Sequence, residues 1–438
     1  MKKALVLTIA LIALSVSAMM FVFVVTDAAR NQVNITETAI FGDVSTADGL
    51  EILVRTHYGH HLFWDTTYQT DTAKAQTNYL FSQSQINEYP PEEYSGVYLE
   101  SEIEYDFNLR QEGEQSGIAV AYKELFDQTP VGVEGTTTVR LKDYYDFYPM
   151  RVTLDMPGNT LGWSSDYYTG AAPEPGTEEY IIRAFEDFFQ IPVIDDETVN
   201  ISITKNADGS VGGYGGGSTD SDSFYISTLS ALTDDVCYFT FDSHTMNGNV
   251  VDTSLIPGGY GIYCLPYNEG GVVKDGLKMS GILIDELSMV YSLNPKDTVF
   301  GLYANPGQTK LLLLTNENNV CVLTVIDLET MESLQRLELA TLGEDGSVWN
   351  TYYYDDFFTL WLSENQIAVV DINEEGEYEH RFTVELTDEA DELYLLNTSS
   401  VMDWDGEKLV VSGILDKAYD RKNTNYSRYC SFYLAVYD

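Results

Sequence analysis

The sequence predicts an all-β protein with one short amphipathic helix, preceded by an N-terminal transmembrane helix. From residue 31 onward, short apolar segments alternate with Gly, Asn, Asp and Pro, as in strands joined by tight turns. Aromatic residues favour strands, and they make up 13% of the chain, which is enough to pack the faces of several sheets. Similar groups of strands also recur near the C-terminus.

The first 30 residues are predicted to be an N-terminal signal anchor. Lys2 and Lys3 precede an apolar run from Ala4 to Val25 that no charged residue interrupts. As a helix, this run extends over about 33 Å, enough to cross a hydrocarbon core of about 30 Å. The positive-inside rule keeps the two lysines in the cytoplasm. We therefore expect a single-pass protein of the cell membrane, with residues 31–438 forming an extracytoplasmic domain.

A cleaved signal peptide is the alternative for this segment. The small residues of Val16-Ser17-Ala18 suit a cleavage site. However, the apolar run continues from Met19 to Val25, which favours an uncleaved anchor. No cysteine follows the run, so lipid attachment at a processed N-terminal cysteine is not expected.

The region from 31 to 170 contains several short candidate strands. Turn-forming residues separate them, and they comprise 49–54, 61–64, 96–99, 136–141 and 148–154. Pro149 lies at the beginning of the last of these. Because proline has no backbone N–H to donate, it indicates the start of a strand or an edge strand.

One amphipathic helix is predicted after residue 176. Thr177 is a suitable N-cap, and Glu178 and Glu179 lie in the first turn, where carboxylates interact favourably with the helix dipole. The apolar residues that follow have the spacing of one helix face: Ile181, Ala184, Phe185, Phe188 and Phe189. Pro192 ends the pattern. We expect this helix to pack between sheet segments.

A glycine cluster follows at residues 212–217. It is interpreted as a flexible loop or as an internal boundary within the extracytoplasmic domain. The cluster lacks the strand–loop–helix context and the Lys-Ser/Thr ending of a phosphate-binding loop, so a nucleotide site is not predicted there.

A repeated pattern occurs in the C-terminal part of the chain. It consists of a strand, a polar turn, a strand that ends in Asp, another turn and a further strand. Its copies cover 311–339, 358–386 and 402–438. Asp327 and Asp371 end the equivalent strands of the first two copies, at a distance of 371 − 327 = 44 residues. Asp438 follows after 438 − 371 = 67 residues, which a polar insertion around 417–429 explains.

This period is close to the roughly 40–50 residues of a propeller blade, and the chain resembles β-propeller repeat proteins, most clearly over residues 300–438. The resemblance implies about seven or eight blades over the extracytoplasmic domain. A separate β domain before residue 212 is the alternative. Neither a WD signature nor a kelch double-glycine motif is present. Closure into a propeller would protect the edges of so many strands.

The charge of the chain excludes one class of partner. Lys and Arg total 23 and Asp and Glu total 69, so the formal charge is 23 − 69 = −46. A field of this sign repels nucleic acid and anionic lipid, and we predict no nucleic-acid binding. The acids are scattered along the chain and are expected to form a solvated face. Ca²⁺ held by a few of them is the only cofactor that the composition suggests.

The histidines offer one candidate metal site. His57, His60 and His61 lie close to Asp65, and imidazole with carboxylate is a ligand set for Zn²⁺. Neighbouring residues of a strand point to opposite faces, however, and Gly59 indicates a turn. A solvated loop is therefore the favoured interpretation. The other two histidines, His244 and His380, have no evident partner in the sequence.

Residues 371–376 partly match a calcium-binding loop. Oxygen-bearing side chains stand at the first, third and fifth positions, and Gly376 stands at the sixth. The twelfth position is Phe382, where such a loop requires a bidentate Glu. A polar turn between strands is favoured, and no metal ligand is predicted.

No catalytic residue is predicted from the sequence. Adjacent carboxylates occur at Asp195-Asp196, Asp234-Asp235 and Asp355-Asp356. Glycoside hydrolysis needs two carboxyl groups about 5–10 Å apart across a cleft, and adjacency in sequence does not establish that geometry. The chain contains neither a Gly-x-Ser-x-Gly elbow nor a His-Glu-x-x-His motif.

The four cysteines leave two hypotheses open. Cys237, Cys264, Cys321 and Cys430 all lie in apolar strand-like segments. Outside the cytoplasm they are able to form two disulfides, in any of three pairings, or to remain as buried free thiols. Their spacing matches no zinc-binding pattern.

Together these features predict a membrane-anchored binding or interaction protein that recognises a protein, peptide or glycan of the cell envelope. The alternative is an extracytoplasmic carboxylate-dependent enzyme that acts on a glycan or peptide. A third hypothesis, an inert structural partner in a membrane complex, has the same sequence features as the first.

Overall fold

A computed structural model describes most of the chain. The described residues are 2–29, 42–58, 62–80, 95–101, 117–162, 173–218, 224–245, 251–268, 270, 272–274, 277–343, 346–354, 357–363, 366–373, 375–385, 401–415 and 431–437. The chain divides into two compact units. The first unit comprises Met1–Glu93 and Leu386–Asp438, and the second comprises Tyr94–Glu385.

Strands and antiparallel sheets dominate the described residues. The helices are α1 (Lys2–Ala29), α2 (Ala119–Gln128) and α3 (Glu178–Phe188). The strands are β1 (Glu51–Tyr58), β2 (Leu62–Gln69), β3 (Lys74–Leu80), β4 (Gly96–Ser101), β5 (Glu134–Arg140), β6 (Met150–Met156), β7 (Asn159–Gly162), β8 (Thr198–Lys205), β9 (Val211–Ser218), β10 (Phe224–Leu232), β11 (Val236–Thr245), β12 (Gly261–Pro266), β13 (Val272–Lys274), β14 (Leu277–Met279), β15 (Ser288–Ser292), β16 (Thr298–Ala304), β17 (Lys310–Asn316), β18 (Val320–Asp327), β19 (Ser333–Thr341), β20 (Val348–Tyr353), β21 (Phe357–Leu362), β22 (Gln366–Ile372), β23 (Tyr378–Glu385), β24 (Val401–Trp404), β25 (Leu409–Leu415) and β26 (Ser431–Tyr437). The predicted all-β class is confirmed.

Helix α1 corresponds to the predicted anchor. Its segment Val6–Val25 is long and apolar enough to cross a membrane. The side chains of this segment are exposed, and no acidic residue lies in the first turn of the helix. Membrane insertion and orientation stay predictions.

The first unit contains two three-stranded antiparallel sheets, β1-β2-β3 and β24-β25-β26. In the first sheet, the hydroxyl groups of Thr66 and Thr77 form a buried cross-strand hydrogen bond of 2.9 Å. Lys408, just before β25, donates from Nζ to the carbonyl oxygen of Thr46 at 2.9 Å. This contact ties the second sheet to the short 3-10 helix Val44–Ala47.

The second unit contains three four-stranded antiparallel sheets. In two of them the strands are consecutive in the chain, whereas in the other the hairpin β13-β14 lies between the third and fourth strands. Their orders are β10-β11-β12-β15, β16-β17-β18-β19 and β20-β21-β22-β23. Four consecutive antiparallel strands are the form of a propeller blade, which confirms the propeller-like architecture. Asp327 ends β18 and Asp371 lies near the end of β22, so the 44-residue spacing joins equivalent third strands. The number of blades stays a prediction.

Helix α3 packs inside this unit as expected. The side chain of Thr177 accepts a hydrogen bond from the backbone of Tyr180, and the helix buries Ile181, Ile182 and Phe185. The ring of Phe185 lies 6.2 Å from that of Phe239 on β11. Phe189, at the C-cap, lies 5.2 Å from Tyr263 on β12. The predicted role of a packing helix between sheet segments is confirmed.

Two sequence-based interpretations need correction. The body contains a second helix, α2, which the prediction of one helix missed. The glycine cluster at 212–217 lies within strand β9, which pairs with β8 along its length. The flexible-loop interpretation was therefore wrong, because backbone pairing to a neighbouring strand compensates for the low strand preference of glycine. The internal boundary near 212–217 stays a prediction.

Candidate functional site

A small module within the second unit presents the candidate site. It consists of α2 and the three-stranded sheet β5-β8-β9, and it has a hydrophobic core of its own. In the chain, α2 and β5 lie between β4 and β6, whereas β8 and β9 follow α3. The module is thus assembled from two separate segments of the chain.

The alternating pattern of β8 determines which face of this sheet the helix covers. Val199, Ile201 and Ile203 are buried in the module core, together with Tyr122 and Phe126 of α2. The residues between them point to the opposite face because side chains alternate along a strand. The pattern therefore separates an apolar face under α2 from a polar face on the other side.

A buried hydrogen bond anchors the module to the rest of the unit. Tyr148 donates from its hydroxyl to the carboxylate of Glu197, which precedes β8 and is 3% exposed. The Tyr148 ring also stacks on Phe224 at 4.2 Å. Burial and the bond to Glu197 hold the pKa of Tyr148 well above its usual value. The phenol therefore stays neutral and donates at all physiological pH values.

The face of the sheet opposite α2 is polar. We call it the polar face, and it consists of Thr136, Thr138, Asn200, Ser202, Thr204, Gly213, Gly215 and Gly217. Across the three strands, Thr136 lies beside Ser202 and Ser202 beside Gly215. Thr138 donates its hydroxyl to the Asn200 side-chain oxygen at 2.5 Å. These eight residues offer hydroxyl, amide and backbone groups, and none of them is ionisable or large and apolar. At the two ends of β5, Glu134 beside Thr204 and Arg140 beside Thr198 place one charge of each sign at the border of this face.

Strand β9 forms one edge of the sheet. Five of its eight residues are glycines. Among the described strands it pairs with β8 alone, so its other side presents backbone N–H and C=O groups. Tyr122 of α2 donates to the carbonyl oxygen of Gly215 at 2.7 Å, and its ring meets that of Tyr214 edge-on at 6.1 Å. These contacts hold the glycine-rich strand in place.

The electrostatics around β9 are acidic. Hydrogen bonds from Ser210 lower the pKa of Asp208, in the turn before β9, so this carboxylate is ionised at neutral pH. The ammonium of Lys205 is directed towards α2, where it donates to the carbonyl oxygen of Phe126 at 3.0 Å and lies 4.2 Å from the centre of that ring. The described residues 206–218 contain this one carboxylate, that of Asp208, and no Lys or Arg.

The sequence analysis did not predict this site. The polar face and the edge come from strands that are far apart in the chain, for example Gly135 beside Ile203. One signal was present, because residues 198–204 alternate strictly between branched apolar and polar residues.

The histidine cluster does not form a described metal site. His57 lies in β1 and Asp65 in β2, whereas residues 59–61 lie outside the described residues. His380, for which the sequence offered no partner, lies in β23 with its Nε2 2.9 Å from the Thr383 hydroxyl. Burial lowers the pKa of His380. Within the described part of the chain, no three His, Cys, Asp or Glu residues are grouped to hold a metal ion.

Asp371 and Ile372 end β22, and Asn373, Glu375 and Gly376 lie between β22 and β23, so the described part of this segment is a polar turn between strands, as favoured from the sequence. Asp371 accepts hydrogen bonds from the backbone of Ile372 and from the guanidinium of Arg381. Asn373 accepts from the backbone N–H groups of Glu375 and Glu377 at 3.1 and 2.9 Å. The side-chain oxygens of Asp371 and Asn373 therefore stabilise the turn.

The described carboxylate pairs do not line a cleft. Asp195 and Asp196 lie at an exposed turn, and Asp195 is 3.7 Å from Lys142 Nζ. Asp234-Asp235 also occupies an exposed turn, between β10 and β11. Asp355-Asp356 lies outside the described residues. The geometry that glycoside hydrolysis requires is therefore not found in either described pair.

The three described cysteines are free thiols. Cys237 pairs with Leu265 across β11 and β12, whereas Cys264 pairs with Tyr238. Residues directly opposite each other share a face, so the two thiols point to opposite faces of this sheet and are not placed to form a disulfide. Cys321 is buried in another sheet, and Cys430 lies outside the described residues.

Comparison with known proteins indicates similarity of fold only. No protein-family model and no curated protein matches the chain. A periplasmic gluconolactonase from Pseudomonas aeruginosa has 9% identity, with 84% of this chain and 92% of that chain covered and a TM-score of 0.27. The Dos1 propeller has 13% identity and a TM-score of 0.22, with 50% of this chain and 63% of that chain covered. The polysaccharide lyase Uly1 has 10% identity and a TM-score of 0.24, with 93% of this chain and 94% of that chain covered. Such low TM-scores support no statement about chemistry.

Proposed function

We propose that this protein is a membrane-anchored binding protein that presents its β-sheet body outside the cytoplasm to a protein, peptide or glycan of the cell envelope. The observation that supports this function is the polar face of the β5-β8-β9 sheet. The eight residues of this face are neutral and most of them are exposed, on a protein whose formal charge is −46.

The chemistry of the polar face suits recognition by hydrogen bonds. Hydroxyl and amide groups donate and accept, so they are able to match the amides of a peptide or the hydroxyls of a glycan. Neutral groups also cost much less to desolvate than carboxylates. A face of neutral residues on an acidic body therefore allows a partner to dock at a low electrostatic cost.

Helix α1 supports the proposed location of the β-sheet body outside the cytoplasm. A single apolar helix with two lysines before it holds the body at the outer surface of the membrane. The strong negative charge keeps the body away from anionic headgroups. Such an arrangement leaves the body free to contact other components of the envelope.

Site-specific photo-crosslinking in intact cells tests this proposal with the full-length chain. A photoreactive residue is placed at Thr204 on the polar face, or at the control position Thr298 on β16, since both are exposed threonines on strands. We expect a discrete crosslinked product from position 204 and background from position 298. Equal patterns from both positions would contradict the proposal.

A matched substitution refines this test. Asn200→Leu has a similar volume but removes both the oxygen that accepts from Thr138 and the amide donor, without adding a charge. We expect it to reduce the crosslink from position 204 at least about tenfold, which corresponds to about 1.4 kcal/mol of binding free energy. An unchanged crosslink would show that the partner does not use the polar face.

A further inference from the structure

We infer that the free edge of β9 binds a basic segment of a partner polypeptide in an extended conformation, as a fourth strand of the β5-β8-β9 sheet. This inference rests on the proposed binding function and specifies the partner as a peptide with Lys or Arg near its ends. Strand addition of this kind uses backbone hydrogen bonds for affinity.

The edge is already formed. β9 is paired with β8 from Val211 to Ser218, so little ordering entropy is lost when a further strand is added. Alternate residues of an edge strand direct their N–H and C=O groups away from the sheet, where they are available for pairing. Gly213 and Gly216 are exposed, and without side chains they allow close approach of another backbone.

The strand lacks most of the features that protect sheet edges. It contains no Lys, no Pro and no charged side chain. A bulge at its start, where Gly212 is the extra residue, is the only such feature within β9. The opposite edge strand, β5, by contrast begins with Glu134 and ends with Arg140. Because β5 has a charged residue at each end and β9 has none, we assign the peptide-binding edge to β9.

Charge complementarity identifies the occupant. Two copies of this chain, each with a formal charge of −46, repel one another, which disfavours edge-to-edge pairing of β9 with itself. Asp208 is an ionised carboxylate before the strand, and the ammonium of Lys205 is held against Phe126. A peptide with basic ends is attracted to this edge, and one with acidic ends is repelled.

Fluorescence anisotropy with the full-length protein in nanodiscs of neutral lipid provides the test. The probe is a labelled peptide of alternating Thr and Val with Lys at both ends and the length of β9, eight residues. One control peptide has Glu at both ends. A second control keeps the Lys ends but is N-methylated at every second amide, which removes donors without changing charge. We expect each control to bind at least about tenfold more weakly.

A pair of protein variants tests the position and the sign of charge. A side chain at Gly213 has no atom within 4 Å of its Cβ, so both Gly213→Lys and Gly213→Glu fit. We expect Gly213→Lys to weaken binding of the Lys-ended peptide about tenfold and Gly213→Glu to maintain or strengthen it. Equal affinities of the two variants would overturn the inference.

Hydrogen exchange locates the contact. Half of the β9 amides should exchange rapidly in the free protein and become protected by the Lys-ended peptide, while β5 stays unchanged. Protection of all β9 amides in the free protein, or equal binding of the N-methylated peptide, would overturn strand addition. If the Lys-ended peptide does not bind but position 204 still forms its crosslink, strand addition at β9 is disproved and the proposed function is not. If the peptide does not bind and the crosslink is also absent, the proposed function is disproved as well.

Discussion

The side-chain amide of Gln335 binds both backbone groups of Tyr378. Gln335 Nε2 donates to the carbonyl oxygen of Tyr378 at 3.2 Å, and the backbone N–H of Tyr378 donates to Gln335 Oε1 at 3.0 Å. Gln335 lies on β19 and Tyr378 begins β23, so the amide joins two consecutive four-stranded sheets. A similar pair of bonds links the Gln308 amide to Asp234, between the turns of the preceding two sheets.

Substitution Gln335→Met should destabilise the second unit. Methionine has a similar volume but forms neither hydrogen bond, so both groups of Tyr378 lose a partner in a half-buried position. We expect a loss of about 1–3 kcal/mol in the free energy of unfolding. Urea unfolding followed by near-ultraviolet circular dichroism measures it. Gln308→Met is the control, because its bonds lie at exposed turns, and an equal or larger loss there would contradict the explanation.

The cysteines should differ in their reactivity towards maleimide. Burial raises the pKa of Cys237 to about 12 and that of Cys321 to about 12, so almost no thiolate is present at pH 8. Cys264 is less buried and should react first under native conditions. Peptide mapping by mass spectrometry identifies the modified residues, with Cys264→Ala as the control. A disulfide-linked peptide that joins Cys237 to Cys264 would contradict their placement on opposite faces.

The stability of the protein should decrease as the pH falls through the titration of His380. Burial lowers the pKa of this histidine in the folded state, so the unfolded chain, with a pKa near 6.5, binds the proton more readily. The contribution of neutral His380 to the stability of the folded state is therefore complete above about pH 6.5. It is lost as the pH falls through the lower pKa that His380 has in the folded state. Thermal unfolding between pH 5 and pH 8 should show a smaller pH dependence for His380→Gln. Identical profiles for the variant and the native chain would disprove this role.

The N-terminal segment should remain attached to the mature protein. We expect the peptide that begins at Met1 to be recovered from the membrane fraction, and external protease to digest the body in spheroplasts. Leu14→Arg places a charge within Val6–Val25 at a cost of about 2.5–3.5 kcal/mol, and it should reduce membrane insertion, whereas Leu14→Ile should not. A mature N-terminus directly after Ala18 would support the cleaved signal peptide instead.

Local sequence patterns were sufficient to predict strands where the strands that pair are also consecutive in the chain. Within the predicted copy at 311–339, the first two strands are β17 and β18, which pair through a short turn. Helix α3 was equally accessible because its cap and its apolar face are encoded within a dozen residues. In these cases the partner that buries an apolar side chain is close in sequence, so periodicity alone identifies the element.

The candidate site required information that periodicity does not contain. β9 has the composition of a flexible loop, and it is a strand because β8 supplies its hydrogen-bond partners. β5 and β8 are more than sixty positions apart, as the pairing of Thr138 with Asn200 shows. The helix α2 has an amphipathic pattern of its own, but its short length gives a weak signal without the core beneath it.

Composition and residue order were enough to establish the apolar N-terminal helix, the excess of negative charge and the strand-rich body, because these properties depend on short stretches or on sums over the chain. Three-dimensional pairing decided which strands became edges, which polar side chains came to share one exposed face and which carboxylates were used to stabilise turns. The physical reason is that a strand satisfies its backbone groups through a neighbour, and the identity of that neighbour depends on contacts between residues far apart in the chain.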